Sequence, residues 1–176
     1  MARTVEIRSL ARDDDRSGFS CGEPALDRFF QHYAGPNQFK LKLAVTYVAA
    51  LEGRILGFAT VAVGSLERRD LPSARQRRRM PAYPLPILRL ARLGVDRAAQ
   101  GSGIGQQLLR HVFELALGQR DALGCVGVVT DAKPEAVGFH QKLGFVPLEG
   151  VREGSMHGKP MPMFLDIQSI AAALEG

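Results

Sequence analysis

The residues Gln100-Gly101-Ser102-Gly103-Ile104-Gly105 have types and spacing suited to holding an anion. Glycines let a backbone approach a ligand closely and adopt positive φ. A strand-like run ends at Val95 and a helix-like run opens near Ile104, so the unpaired amides of a helix start, with its dipole, would face a phosphate or pyrophosphate. Two phosphate loops are excluded. A P-loop needs Gly-Lys-Ser/Thr, and here Gly105 is followed by Gln106. A dinucleotide fingerprint needs G-x-G-x-x-G and an acidic residue about 20 residues on. This chain has G-x-G-x-G, and Asp131 comes late for that role.

The elements that must position this loop follow from periodicity. Val5, Ile7 and Leu10 predict a short first strand. Leu26, Phe29, Phe30 and Tyr33 recur at helical spacing and predict a helix from about Pro24 to Tyr33, capped by Ser20 with Glu23 or by Cys21-Gly22. Leu43 to Ala50 and Arg54 to Val63, joined at Glu52-Gly53, predict an antiparallel hairpin. Residues 64–86 carry Pro81, Pro84 and Pro86 and read as a loop with room for one helical turn. Ile87 to Val95 is the next strand, interrupted at Gly94, where a bulge or a close backbone approach is expected. After the glycines, Ile104, Leu108, Val112 and Leu115 form an apolar helix face flanked by Leu109 and Ala116. Strands at 124–130, 145–148 and 161–167, a helix over 134–143 ending at Gly144 and a terminal helix over 168–174 complete a single α/β domain spanning 1–176.

Composition narrows the function classes. A chain of 176 residues with 45% hydrophobic and 23% charged residues can bury a core without staples. No apolar run reaches the ~20 residues of a membrane span, and the polar N-terminus does not read as a signal peptide. Two distant cysteines suit a reducing cytoplasm, with Cys125 expected in the core and Cys21 as packing at a helix start. The histidines are scattered, so no metal site is expected, and Met156, Met161 and Met163 read as core or interface filler. The net charge is +5, yet segment 66–97 alone holds nine arginines against Glu67, Asp70 and Asp96. Arginine suits bidentate phosphate contact, so a solvated loop and a polyanion-steering surface are both open.

Two segments carry a resemblance. Gln100-x-x-Gly103-x-Gly105 after Arg92-Leu93-Gly94-Val95-Asp96 resembles the acetyl-CoA pyrophosphate loop of the GCN5-related N-acetyltransferases (GNAT). Ala136-x-x-Phe139-His140-x-x-x-Gly144-Phe145 resembles that family's later helix, A-x-x-F-Y-x-x-x-G-F. The resemblance covers about 5–170. It implies a GNAT fold, with one twisted, mixed, mostly antiparallel sheet splayed between strands 4 and 5, and acetyl transfer from acetyl-CoA to an amine. It further implies that the backbone of Gly101, Ser102, Gly103, Ile104 and Gly105, with Gln100, holds the pyrophosphate, and that main-chain groups of Leu93 and Val95 pair with the pantetheine arm.

A narrower resemblance joins Phe19-Ser20-Cys21-Gly22-Glu23-x-x-Leu26-Asp27-x-Phe29 and Pro84-Leu85-Pro86-Ile87-Leu88-Arg89-Leu90-Ala91-Arg92-Leu93 to the toxin-type acetyltransferases, which acetylate the α-amine of aminoacyl-tRNA. It implies charged tRNA as acceptor, an antitoxin partner, a homodimer and a cytoplasmic location. It assigns Arg77, Arg78 and Arg79 to tRNA phosphates; Tyr83, from its place in the Pro-flanked loop, is a candidate to line the acceptor cleft, with a packed loop aromatic as the bland alternative. Acetylation of a small amine or a protein N-terminus, and a weakened acetyl-CoA-binding module, are the alternatives.

One position departs from the family. Its catalytic tyrosine, which protonates the departing CoA thiolate, is replaced here by His140. An imidazolium also donates a proton, so His140 is the expected general acid; lining of the CoA channel is the bland reading. No Glu or His stands on the central strand as an evident base, which favours an acceptor amine of low pKa, although Glu67 or a water chain remains open for that role.

Overall fold

The computed structural model describes residues 4–148 and 160–175. Met156 and His157 lie outside the described residues. Seven strands are hydrogen-bonded in the order β1-β2-β3-β4-β5-β7-β6. The chain divides into two compact units, Met1–Ala62 with Leu90–Val112 and Val63–Arg89 with Phe113–Gly176.

In the first unit, β1 (Glu6–Ser9) pairs antiparallel with β2 (Val45–Leu51), which pairs antiparallel with β3 (Arg54–Leu66). The connection is a two-residue turn in which Glu52 (φ 50°) and Gly53 (φ 83°) both take positive φ, as a type I′ hairpin requires. The register places Thr46 opposite Thr60, and their buried hydroxyls pair at 2.7 Å. A bulge between Ala49 and Ala50 shifts the pairing near the turn. The core is aromatic: the Phe30 and Phe58 rings stack at 4.4 Å, and Phe19 meets Phe30 edge-on at 4.9 Å. Each such pair adds about 0.5–1.5 kcal/mol beyond area burial.

The helical stretch over the hairpin runs further than its periodicity suggests. It comprises α1 (Pro24–Arg28), a π turn over Phe29–Tyr33 and α2 (Ala34–Phe39). The Ala34 amide reaches back to the Phe29 carbonyl, and this one-residue widening changes which side chains point inward. Leu26, Phe30 and Ala34 are buried, whereas Tyr33 is 54% exposed rather than part of the apolar stripe. Neither Ser20 nor Cys21-Gly22 caps the start. Glu23 is the N-cap, and the Asp27 carboxylate accepts the Cys21 amide at 2.9 Å.

In the second unit, β5 (Gly127–Ala132) pairs antiparallel with β7 (Met161–Asp166), and β7 with β6 (Val146–Pro147). Ile87, Val129, Leu148 and Phe164 centre its core, with Leu66, Leu71 and Leu85 around them. Met163 is fully buried and Met161 half-buried. Residues 64–86 hold more structure than a loop: β3 extends to Leu66, a 3-10 turn spans Arg68–Asp70, and α3 (Ala74–Arg79) follows, capped by Ser73 accepting the Gln76 amide at 3.2 Å. The strand expected from residue 124 begins at Gly127, because Gly124 (φ 106°) closes the preceding helix by donating to the Gln119 carbonyl at 2.7 Å. A 3-10 turn (Pro134–Ala136) leads into α5 (Val137–Lys142), and α6 (Ile167–Glu175) follows β7.

Three elements contribute residues to both units: β3, β4 (Leu85–Val95) and α4 (Ile104–Ala122). Strand β4 passes through Gly94 without interruption. A Cβ there would lie 2.8 Å from Phe58 Cε1, so the glycine marks a close approach, one of the two expected alternatives. Among the described residues no helix is long and apolar enough to cross a membrane.

Candidate functional site

The glycine loop of the first unit is built by hydrogen bonds, one of them from its own Ser102 amide to the Ala99 carbonyl at 3.3 Å. Asp96, 6% exposed at the end of β4, accepts the Ser20 amide at 3.1 Å and the Ala98 amide at 3.0 Å, and Arg54 lies 3.6 Å from its Oδ1. Its own amide donates to the Leu56 carbonyl, and the Arg97 amide donates to Ser20, both at 2.8 Å. These bonds wind Arg97–Ala99 into a 3-10 turn that delivers the chain to Gly101 (φ 82°) and Gly103 (φ 87°). Ser102 Oγ donates to the Ala99 carbonyl, so the hydroxyl serves the turn. The Gln100 side-chain amide donates to the Cys21 carbonyl at 2.9 Å and the Val95 carbonyl at 3.0 Å. Gln100 therefore braces the loop.

The Gln107 amide donates to the Gly103 carbonyl at 3.1 Å, where the helical ladder begins. The amides of 104–106 precede that first bond, at the positive end of a 19-residue helix with no acidic residue in its first turn. A Cβ on Gly101 or Gly103 would meet nothing within 4 Å, and one on Gly105 would meet only Val95 Cγ2 at 3.7 Å. The loop is thus a cradle of donors free of side-chain bulk, which fits a pyrophosphate. Gly57 on β3 seats the helix start: a Cβ there would lie 2.9 Å from Ile104 Cγ2, 3.0 Å from Leu108 Cδ1 and 3.1 Å from the Gly94 carbonyl. Sequence reading missed both Gly57 and Asp96. Their partners are distant in sequence, and only the Gly-Phe doublet inside a strand hinted at close packing.

In the second unit, His140 is 5% exposed on α5, its Nδ1 2.9 Å from the Ala136 carbonyl oxygen. Phe139 and Phe145 meet the imidazole nearly perpendicularly, with centroids 5.4 and 5.3 Å away. The last three of the four arginines of α3 divide. Arg78 and Arg79 are exposed, whereas Arg77 is half-buried and donates to the Leu71 carbonyl, anchoring the loop before the helix. Tyr83 is 63% exposed and lines a cavity of about 290 Å³ with Glu67, Arg68, Arg69, Ala82 and Pro84. Tyr83 is therefore grouped with Arg68 and Arg69. Glu67 is ion-paired to Arg69 at 2.7 Å, and β4 itself carries no acidic residue or histidine.

Cys21, beside the loop, is half-buried, and burial together with Asp27 pushes its thiol up to about 11. It remains a thiol at neutral pH, in keeping with a packing role. Cys125 is buried and burial raises its thiol likewise. Among the described residues no cluster of metal-ligating side chains occurs.

A family model described as an acetyltransferase (GNAT) domain matches residues 42–147. A tRNA-acetylating toxin of Mycobacterium tuberculosis (strain ATCC 25618 / H37Rv) is 35% identical over 139 residues, which is 78% of this chain and 82% of that protein. Among solved structures, AtaT complexed with acetyl-methionyl-tRNAfMet superposes with a TM-score of 0.84 at 28% identity, covering 97% of this chain and 99% of that one. A tyrosine-to-phenylalanine mutant of the AtaT toxin, bound to the C-terminus of the antitoxin AtaR and acetyl-CoA, gives a TM-score of 0.77 at 25% identity over 98% and 99% of the two chains. The fold, the glycine cradle at the start of α4 and these matches together place the chain in the GNAT family, as an N-acetyltransferase that takes its acetyl group from acetyl-CoA.

Proposed function

We propose that this acetyltransferase acetylates the α-amine of an aminoacyl-tRNA, as the toxin of a toxin–antitoxin pair. The observation that carries the reading is the 35% identity, over 78% of this chain, to a tRNA-acetylating toxin. The arginines of the second unit support it. Arg78 and Arg79 project from a capped helix, and Arg68, Arg69 and Tyr83 surround one cavity, a combination of cations and an aromatic face that suits phosphates and an unstacked base. The reading brings with it a cytoplasmic location, a homodimer and a small antitoxin protein.

In this reading the amides of Gly101 to Gly105 hold the pyrophosphate of acetyl-CoA, main-chain groups of Leu93 and Val95 align its pantetheine arm, and Gln100 fixes the loop that does so. Arg78 and Arg79 engage tRNA phosphates, while Arg77 keeps their helix in place. His140 handles the proton of the transfer. An α-amine of pKa about 7.7–8.0 is partly neutral at pH 7, so attack on the acetyl carbon needs far less help than a lysine amine near 10.4. Acetyl transfer would block the amine that peptide-bond formation requires.

The test is CoA release with acetyl-CoA and a pool of charged tRNA, with uncharged tRNA, free amino acids and small amines as controls. Release confined to charged tRNA is the expected result. Release with small amines alone would overturn the reading.

A further inference from the structure

A second cation-bearing feature adjoins the glycine loop within the first unit. Arg28, His32 and Arg97 line an open cavity of about 590 Å³, with Ser20 and Gly22 in its wall. That volume falls in the range of small-molecule sites and exceeds what a bare ion would fill. All three basic side chains are exposed, and among the described residues none of them has a hydrogen-bond or ion-pair partner. The carboxylates nearby are committed elsewhere. Asp27, the one acidic residue lining the cavity among the described residues, accepts the Cys21 amide at 2.9 Å. Asp96 accepts the Ser20 and Ala98 amides and lies beside Arg54. Arg97 nevertheless has a seat. A Cβ on Gly22 (φ 99°) would lie 3.3 Å from Arg97 Nε and 3.6 Å from its Nη2, so the guanidinium rests over a backbone with no side chain in the way. Basic side chains that face one cavity without an ion-paired carboxylate raise the potential there and favour an anion.

The identity of that anion follows from what the cavity adjoins. The Arg97 amide donates to the Ser20 carbonyl at 2.8 Å, and the Gln100 side chain donates to the Cys21 carbonyl at 2.9 Å. The cavity wall and the glycine loop therefore share one hydrogen-bonded frame. In coenzyme A a single ribose separates the pyrophosphate from the 3′-phosphate, a monoester carrying about −1.5 to −2 charge at neutral pH. We propose that Arg28, His32 and Arg97 form the subsite for the 3′-phosphate of coenzyme A, the two guanidiniums supplying charge-assisted donors to its oxygens. The subsite distinguishes acetyl-CoA from its 3′-dephospho form. The inference rests on the pyrophosphate seating proposed above and is independent of the acceptor amine.

The experiment is calorimetric titration of acetyl-CoA and of acetyl-3′-dephospho-CoA into wild type, Arg28→Gln, Arg97→Gln, the double variant and Gly105→Ala, with a thermal melt of each. Wild type should bind acetyl-CoA about tenfold or more tighter than the dephospho form. Each single glutamine variant should weaken acetyl-CoA by about threefold or more and leave the dephospho form within about twofold, on the same charge-assisted contacts. The double variant should bind the two ligands alike. Raising the salt concentration should narrow the wild-type difference, because the cations are exposed. Equal affinity of wild type for the two ligands overturns the inference, and that comparison needs no variant. Glutamine variants weakened equally for both ligands, or a folded double variant that keeps the wild-type ratio, overturn it as well. In the latter case a lowered affinity for uncharged tRNA would assign the cations to RNA. Gly105→Ala tests the seating separately: unchanged affinity for both ligands overturns the proposed glycine cradle and the inference built on it, whereas weaker binding of both with their ratio preserved upholds the cradle and a separate 3′-phosphate subsite.

Discussion

The side-chain amide of Gln100 donates to the carbonyl of Cys21, 79 positions earlier in the chain, at 2.9 Å, and shares its second hydrogen with the Val95 carbonyl at 3.0 Å. One side chain thus ties the approach to α1, the end of β4 and the glycine loop together. Gln100→Ala should cost about 0.5–1.5 kcal/mol per bond at most, less because the amide is exposed, and should raise the KM for acetyl-CoA more than it lowers kcat. Thermal melts and steady-state kinetics on the same sample check this; an unchanged KM would show that the loop holds its shape without the brace.

Two glycines separate packing from ligand binding. Gly57→Ala forces a methyl group to within 2.9 Å of Ile104 and 3.1 Å of the Gly94 backbone, so it should destabilise by about 1–3 kcal/mol and displace the start of α4. Gly105→Ala meets only Val95 at 3.7 Å and replaces glycine in a helix, so it should leave stability unchanged or raise it by up to about 1 kcal/mol. The same methyl group stands in the donor cradle, and acetyl-CoA affinity should fall. Denaturant melts paired with calorimetric titration separate the two effects.

The arginines of α3 should separate by role. Replacing Arg78 and Arg79 with alanine should weaken binding of charged tRNA and reduce its salt slope by about one unit per arginine, with no loss of stability. Arg77→Ala should instead lower the melting temperature, because the Leu71 carbonyl loses its donor. Affinity measured at several salt concentrations, beside a melt for each variant, checks both statements.

Acid stability should depend on Asp14. Two hydrogen bonds of 2.8 Å from the Arg8 guanidinium, with the Ala11 amide, hold its carboxyl below the ordinary value. A lowered native pKa means that the unfolded chain binds the proton more readily, so this stabilisation is present above about pH 4 and lost as pH falls through the folded value. The pair is partly exposed, with side-chain exposures of 29% and 11%, so the effect is modest. Arg8→Gln should flatten stability against pH below pH 4, measured by urea unfolding.

Cys21 should resist alkylation. With its thiol pushed up to about 11 by burial and Asp27, reaction with iodoacetamide at pH 7.5 should be slower than for a free cysteine, whose pKa is about 8.5. Asp27→Asn should speed it, which mass spectrometry on timed samples reads directly.

How much of this was legible in the sequence depended on the range of each interaction. The Glu52-Gly53 turn, the glycine cradle and the face of Ile104, Leu108 and Val112 are local, and periodicity or residue type was sufficient to place them. The helix over the hairpin was legible only in part. Its π turn rotates Tyr33 outward and lets the chain continue past Pro36, whose missing amide falls where the i−4 ladder is already interrupted. Asp96 and Gly57 were not legible as site builders. Asp96 takes the Ser20 amide across 76 positions, and Gly57 matters because of side chains on a helix about 50 residues later. Arg77 illustrates the same limit, since three adjacent arginines look alike until one of them finds a carbonyl.

The donors between Gly101 and Gly105 belong to the main chain, and this sets what mutation can reach. A codon change can crowd an amide or bend it away, but it cannot remove one from the loop. In the proposed function Arg78 and Arg79 would each act through a side chain that a single substitution deletes. An alanine scan would therefore under-count the cosubstrate side and over-count the arginine-bearing surface. Under drift, the choice of acceptor can wander while the hold on the acyl donor stays put, so one such scaffold can acquire new amines without learning a new cosubstrate.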